Sequence, residues 1–276
     1  MSRKISGEVV LFSVISIVSA TLVDAVFYLI GGLQEVLHVM VWGFLRMYTP
    51  MLAVIIVGGL STVRKYFHFS GKVVLVYFLS PLIVYTVVSM YVAVSMFSGV
   101  FFLDQLKSMA ENISLDFYTF MILTFINSYI NGLTINTLYA IGEEVGWRGF
   151  LLDKLESMGL SLFKSVIVIG VIWGLWHSPA ILLLGYNYPE NRVLGVFLFT
   201  LFTISCTTPY ILVRKMSSSI IPTASLHGSM NALWGITLLI TNVPREIGGL
   251  GIIAITTWTI FSIAMYMIYR IRIKYA

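Results

Sequence analysis

The chain has 276 residues, of which 58% are hydrophobic and only 11% charged, with a mean hydropathy of +0.94; a soluble domain carries roughly 45–50% apolar and about 25% charged residues. That composition excludes a soluble globular protein and identifies a polytopic membrane protein, because the 17 Lys+Arg and 12 Asp+Glu fall mostly between apolar stretches of about 20 residues, the length that crosses a hydrocarbon core. The net charge of +5 does not point to nucleic acid, since the basic residues form short clusters between apolar stretches, as in cytoplasmic loops facing anionic lipid.

In chain order the apolar segments are residues 7–31, 37–58, 73–96, 118–141, 166–185, 194–213, 222–242 and 250–269. They predict an all-α bundle of about eight transmembrane helices, forming a single domain over 1–276 with no internal repeat. The start, with Arg3 and Lys4 before an apolar run and Val18-Ser19-Ala20 within it, faintly imitates a signal peptide. The run continues past Ala20 to Leu29, so an uncleaved first span is expected. The first two spans carry Asp24 and Arg46, which read as a structural ion pair, a snorkelling arginine or part of a transport pathway.

Positive charge sets the expected orientation. One side receives Arg3, Lys4, Arg64, Lys65, Lys72, Arg148, Lys154, Lys164, Arg214, Lys215, Arg270, Arg272 and Lys274, and the other only Lys107, Arg192 and Arg245, or 13 against 3. Both termini are therefore expected in the cytoplasm. The single cysteine, Cys206, lies in an apolar segment and supports neither a disulfide framework nor a thiolate metal cluster.

Ionisable groups at membrane depth default to functional hypotheses. The fourth span ends in Glu143-Glu144-Val145-Gly146-Trp147-Arg148. Residues four apart on a helix nearly superpose, so Glu144 pairs with Arg148 and Glu143 points elsewhere, on the stripe of Asn136. The fifth span holds Trp173 one turn before His177, with Pro179 just after, at a depth of about 16 Å by helix rise. In the seventh span, opened by Pro222, His227 and Asn231 share a face at depths of about 8 and 13 Å, and Gly228 admits close approach of another backbone. Each set alone also reads as an ordinary charged helix end or a packing contact. Topology places Glu143, His177, His227 and Asn231 in the same, cytoplasmic, half of the membrane, so they can converge. Together they supply a base, proton carriers and hydrogen-bond donors.

At these residues the sequence resembles the CAAX prenyl protease and bacteriocin-processing family, the type II CAAX endopeptidases or Abi family. The family's pattern is a double Glu with Arg four after the second, an aromatic four before a His, and a His four before an Asn. It is met in order by Glu143-Glu144-x-x-x-Arg148, Trp173-x-x-x-His177 and His227-x-x-x-Asn231, with Trp in place of the commoner Phe before His177. The motifs lie within 143–231, and the first three spans carry no family signature. The resemblance implies an intramembrane endopeptidase, of glutamic type, that in eukaryotic members removes the last three residues of a prenylated protein. By the same resemblance Glu143 and His177 activate the attacking water, His227 and Asn231 form the oxyanion hole, and Glu144 and Arg148 hold the helix end or meet substrate.

Two histidines and a glutamate also make a possible zinc set with an open position. Against zinc, no HExxH occurs, Asn231 is a poor ligand, and the family is metal-independent, so no cofactor is expected. The implied partner is a prenylated or otherwise membrane-associated protein or peptide, entering laterally from the cytoplasmic leaflet where Pro179 and Gly228 loosen the packing. Two rival classes stand beside the protease: a non-catalytic binding or immunity protein of the same fold, and a transporter, for which no inverted repeat is present.

Overall fold

The computed structural model describes residues 6–275, with side chains described to 271. Arg3 and Lys4 lie outside the described residues, as do the side chains of Arg272 and Lys274. The described chain is α-helical, with one isolated β-bridge between Phe101 and Thr241.

Helix α1 (Gly7–Leu29) is started by Ser6, whose hydroxyl accepts from the Val9 amide at 3.3 Å, a satisfied N-cap. The next crossing is built from α2 (Val36–Met47) and α3 (Thr49–Arg64), and the third from α4 (Gly71–Leu79) and α5 (Pro81–Phe97). Pro50 and Pro81 sit in the first turns of α3 and α5, where the missing amide proton costs least. Helices α6 (Asp104–Asn112) and α7 (Phe117–Leu133) meet at 94°. Helix α8 (Ile135–Glu144) runs into a π-helical stretch, Val145–Leu151, and then into α9 (Leu152–Ser157). The remaining helices are α10 (Leu162–Leu184), α11 (Arg192–Ser217), α12 (Ile221–Leu233), α13 (Ile236–Leu239) and α14 (Ile252–Tyr275).

Six helices or continuous helix pairs among the described residues are long and apolar enough to span a membrane, seven if α6 and α7 count as one. This all-α, polytopic architecture matches the sequence expectation, but two of the eight expected spans are not full-length helices. The expected span 118–141 breaks at Thr134 (φ −110°, ψ −97°). The expected span 222–242 yields only the 13 residues of α12, about 20 Å at 1.5 Å per residue. Every residue of α12 from Pro222 to Met230 is buried, so its apolar residues face protein and not lipid, a distinction that hydropathy cannot make.

The close approach expected at Gly228 is met at the α7–α8 break. A Cβ built on Gly228 would lie 2.4 Å from the Gly132 carbonyl oxygen and 2.6 Å from the Thr137 amide nitrogen. Gly228 is therefore a point of tight helix contact, and the lateral opening expected beside it is absent there.

The chain ends its passes on two distinct faces. At one, Lys154 pairs with Glu8 at 2.7 Å, Lys65 with Asp153 at 3.3 Å and Lys215 with Glu156, while the Ile220 amide donates to the Tyr66 carbonyl at 3.1 Å. We call this the basic end. At the opposite end, Asn191 donates to Glu246 at 2.5 Å, Tyr188 to the Leu250 carbonyl at 2.9 Å, and the Phe102 amide to Ile240 at 2.9 Å. The start of α1 and the last turns of α14 lie at the basic end.

Candidate active site

Residues 142–152, the end of α8 and the whole π-helical stretch, are all buried. The charged pattern there is therefore not a solvated helix end. A π-helical insertion of this kind is rare and recurs at functional sites. It sends the two glutamates to different partners. Glu144 Oε1 accepts from Arg148 Nη1 at 2.9 Å, as the four-residue spacing predicts, and also from His227 Nδ1 at 2.8 Å. The Arg148 guanidinium stacks on the rings of Trp173 at 4.3 Å and Tyr210 at 4.2 Å. Glu143 Oε2 accepts instead from two indoles, Trp147 Nε1 at 3.1 Å and Trp173 Nε1 at 2.6 Å.

Both histidines are oriented by what their Nδ1 atoms meet. His177 Nδ1 lies 3.0 Å from the Trp173 carbonyl oxygen. A carbonyl only accepts, so Nδ1 carries the proton and the neutral ring presents the Nε2 lone pair. His227 Nδ1 likewise donates to the Glu144 carboxylate, leaving Nε2 free to face the cavity. The His177 ring is packed against Trp176 and Phe199, with ring centroids 4.6 and 4.3 Å away.

Glu143, His177, His227 and Asn231, from α8, α10 and α12, line one cavity of about 370 Å³ together with Arg46 and Tyr139. A second cavity, of about 210 Å³, is lined by Trp173, His177, Tyr186, His227, Asn231 and Trp234 among others. The two clefts therefore meet at His177, Tyr186, His227 and Asn231. Asp24 and Arg46 form a buried ion pair at 2.9 Å, with Trp42 donating to Asp24 at 2.7 Å and Arg46 Nη2 donating to the Trp176 carbonyl at 2.6 Å. The snorkelling alternative is thus overturned, because the guanidinium is held inward over the Trp176 ring, 3.8 Å from its centroid.

Sequence reasoning missed several neighbours of the site. Trp147 was reachable, since it stands four residues after Glu143 on the same face. The Glu144–His227 hydrogen bond joins residues 83 apart in sequence, and neither it nor the approach of Arg46 leaves a local signal. Cys206 is buried and donates weakly to the Thr203 carbonyl at 3.5 Å; it does not line either cavity. Among the described residues no three His, Cys, Asp or Glu side chains are grouped so as to hold a metal ion.

The depth of His177 within its helix differs from the expected one. His177 is the sixteenth residue of the 23-residue α10, about 22 Å from its start and about 10 Å from its end. The smaller cavity reaches Tyr186, Asn187, Leu238 and Leu250, which belong to the opposite end. Trp147, Phe150, Leu151, Leu152 and Leu155, in the π-helical stretch and α9, are buried. Counting from residue 166 gives about 16 Å instead of about 22 Å, because α10 begins four residues earlier.

Comparison with known proteins bears on this same region. Residues 125–233 match the family model described as Type II CAAX prenyl endopeptidase Rce1-like. A protein named CAAX prenyl protease 2, from Methanococcus maripaludis, is 43% identical over 58 residues, covering 21% of this chain and 21% of that protein. The alignment thus spans about one fifth of the length of this curated relative. The segment that carries Glu143, Glu144, Arg148, His177, His227 and Asn231 is therefore similar to the type II CAAX prenyl endopeptidases.

Proposed function

We propose that the protein is an intramembrane endopeptidase that hydrolyses a peptide bond near the C-terminus of a lipidated, membrane-held protein or peptide. The observation that carries this reading is the convergence of Glu143, His177, His227 and Asn231 on one cavity of about 370 Å³, with Glu144 kept from reacting by its bonds to Arg148 and His227. Glu143 and the Nε2 lone pair of His177 take the proton of a water between them, and the hydroxide attacks the scissile carbonyl. General-base help of this kind contributes about 10² to 10⁴ in rate.

The negative charge that develops on the carbonyl oxygen needs donors. Asn231 supplies an amide N–H. His227 donates from Nε2 as the imidazolium, since its Nδ1 proton is already given to Glu144, whose carboxylate supplies the counter-charge. One such donor is worth about 10² to 10³ in rate. Glu143 or His177 then returns a proton to the leaving amine. Apolar rings of Trp173, Phe199, Phe202 and Trp234 line the adjoining cleft and suit a substrate that arrives from lipid.

In this reading Glu143 and His177 activate the water without a metal ion. Incubating the purified protein with a farnesylated CAAX peptide and its unmodified twin, with products read by mass spectrometry, tests the reading. The expected result is release of a short C-terminal fragment, a markedly higher kcat/KM for the lipidated peptide, and no effect of zinc chelators. Equal cleavage of the two peptides would point to a soluble peptide substrate, and chelator inactivation reversed by zinc would overturn the metal-free mechanism.

A further inference from the structure

We propose that Arg46 binds the C-terminal carboxylate of the substrate, so that the cavity reads the end of a chain and fixes how far from it the bond is cut. The proposal rests on the endopeptidase reading for what happens at the scissile bond; the carboxylate site itself stands on the geometry around Arg46.

A guanidinium carries five N–H donors in a rigid fork. Two of the three nitrogens of Arg46 are committed. Nε donates to Asp24 Oδ1 at 2.9 Å and shares its proton with Oδ2 at 3.2 Å, while Nη2 donates to the Trp176 carbonyl at 2.6 Å. Nη1 makes no hydrogen bond among the described residues, although the side chain is only 3% exposed. Arg148 Nη2 is a fully enclosed orphan, and Arg46 Nη1 is not; Arg46 lines the larger cavity together with Glu143 and His177. An unused donor on a buried cation at a cavity wall calls for an acceptor.

The fork is held in place without a ligand. The guanidinium stacks on Trp176 and is flanked by Trp42, which also donates to Asp24 at 2.7 Å. Such preorganisation removes part of the ordering cost of binding. Tyr186 brings a second donor nearby. Its ring packs on Trp42 with centroids 4.9 Å apart and lines both cavities, and its hydroxyl has no partner among the described residues.

Charge chooses the ligand. Among the described residues Arg46 is the one Lys or Arg that lines either cavity. Around it the wall is apolar, with Val39, Met40, Met47 and Ile135. An anion that enters such a wall loses hydration and has to be paired, and Arg46 supplies the counter-charge. Glu143 repels an anion from its own part of the cavity, so a chain end goes to Arg46 and a neutral peptide bond to Glu143. The terminal carboxylate is the anion that a peptide brings whatever its sequence.

The spacing suits a short leaving fragment. Arg46 Cζ lies 3.8 Å from the Trp176 ring centroid, and the His177 ring centroid lies 4.6 Å from that of Trp176. Guanidinium and imidazole are therefore less than about 10 Å apart, the span of three extended residues. A carboxylate on Arg46 puts a bond two or three residues from the chain end within reach of His177.

The test compares one farnesylated peptide as its free C-terminal acid and as its C-terminal amide. A hydrogen bond to a charged group is worth roughly 10- to 150-fold, so the purified wild-type protein is expected to cut the acid with a kcat/KM at least about ten-fold higher, the difference lying in KM. Arg46→Gln combined with Asp24→Asn removes both charges together and leaves no unpaired buried ion; it should bring the acid-to-amide ratio to about one. Equal cleavage of the two peptides by the wild type, or an undiminished acid preference in the double variant, overturns the proposal. So does a fall in kcat that is the same for both peptides, which would assign Arg46 to the reacting centre. The wild-type comparison needs no substitution and stands even where the variant fails to fold. Binding of both peptides to the Glu143→Gln protein, read by tryptophan fluorescence, needs no turnover. Tighter binding of the acid there, without cleavage by the wild type, would keep the carboxylate site and remove the endopeptidase reading. Cleavage with no preference for the acid would do the reverse, and equal binding without cleavage would remove both.

Discussion

Glu144→Gln should lower kcat by about 10-fold to 10³-fold while changing KM little. The residue is fully buried, and one oxygen serves both Arg148 at 2.9 Å and His227 at 2.8 Å. Glutamine keeps an oxygen that can accept from one of them but removes the carboxylate charge beside His227, the proposed oxyanion donor. A hydrogen bond to a charged group is worth about 1.5–3 kcal/mol, or roughly 10- to 150-fold, and complete loss of an oxyanion donor sets the upper limit of about 10³. Breaking a buried ion pair costs about 3–5 kcal/mol of stability, so Tm and elution behaviour must be measured beside rate. The assay is peptide cleavage by purified protein, repeated in a His227→Ala background. There the substitution should add little, because its effect on rate runs through that ring. A folded Glu144→Gln protein with wild-type kcat, or a full additional loss on top of His227→Ala, would refute the reasoning.

Other substitutions probe separate parts of the account. His177→Ala and His227→Ala should each reduce cleavage by at least about 10², since one removes the proposed base and the other the proposed oxyanion donor; cleavage kinetics on folded protein check this. Gly228→Ala drives a methyl group into the Gly132 carbonyl at 2.4 Å, and overpacking of this kind costs about 1–3 kcal/mol, so thermal unfolding should shift downward. Cys206→Ser should leave activity nearly unchanged, because the thiol lines neither cavity; a folded but inactive variant would restore a thiol mechanism.

Much of the site was legible because its geometry is helical. The spacing of Glu144 and Arg148, of Trp173 and His177, and of His227 and Asn231 fixes which side chains share a face, and all three relations survive in the structure. The spans of α1, α10 and α14 were likewise plain, since long apolar runs facing lipid have few alternatives. The reading failed where burial comes from protein instead of lipid. Helix α12 is apolar because it is enclosed, so a hydropathy reading lengthened it by merging it with α13 and its loop. The break at Thr134 has no Pro, and it is set by the tight contact of Gly132 with α12, where Cβ would lie 2.8 Å from the Ser229 Cα. The long-range bond from His227 to Glu144 and the approach of Arg46 to the cavity depend on tertiary packing, and no residue near them in sequence announces it.

The central claim is that Glu143 activates water in this cavity, and Glu143→Gln tests it with the least disturbance. The amide oxygen of glutamine can still accept from the indoles of Trp147 and Trp173, which lie 3.1 and 2.6 Å from the native carboxylate, so the fold is retained while the base is lost. Wild-type and Glu143→Gln proteins, shown by Tm to be equally folded, are incubated with the farnesylated peptide and products are quantified by mass spectrometry. The account predicts cleavage by the wild type and a drop of at least about 10² in the variant. Undiminished cleavage by folded Glu143→Gln would contradict it.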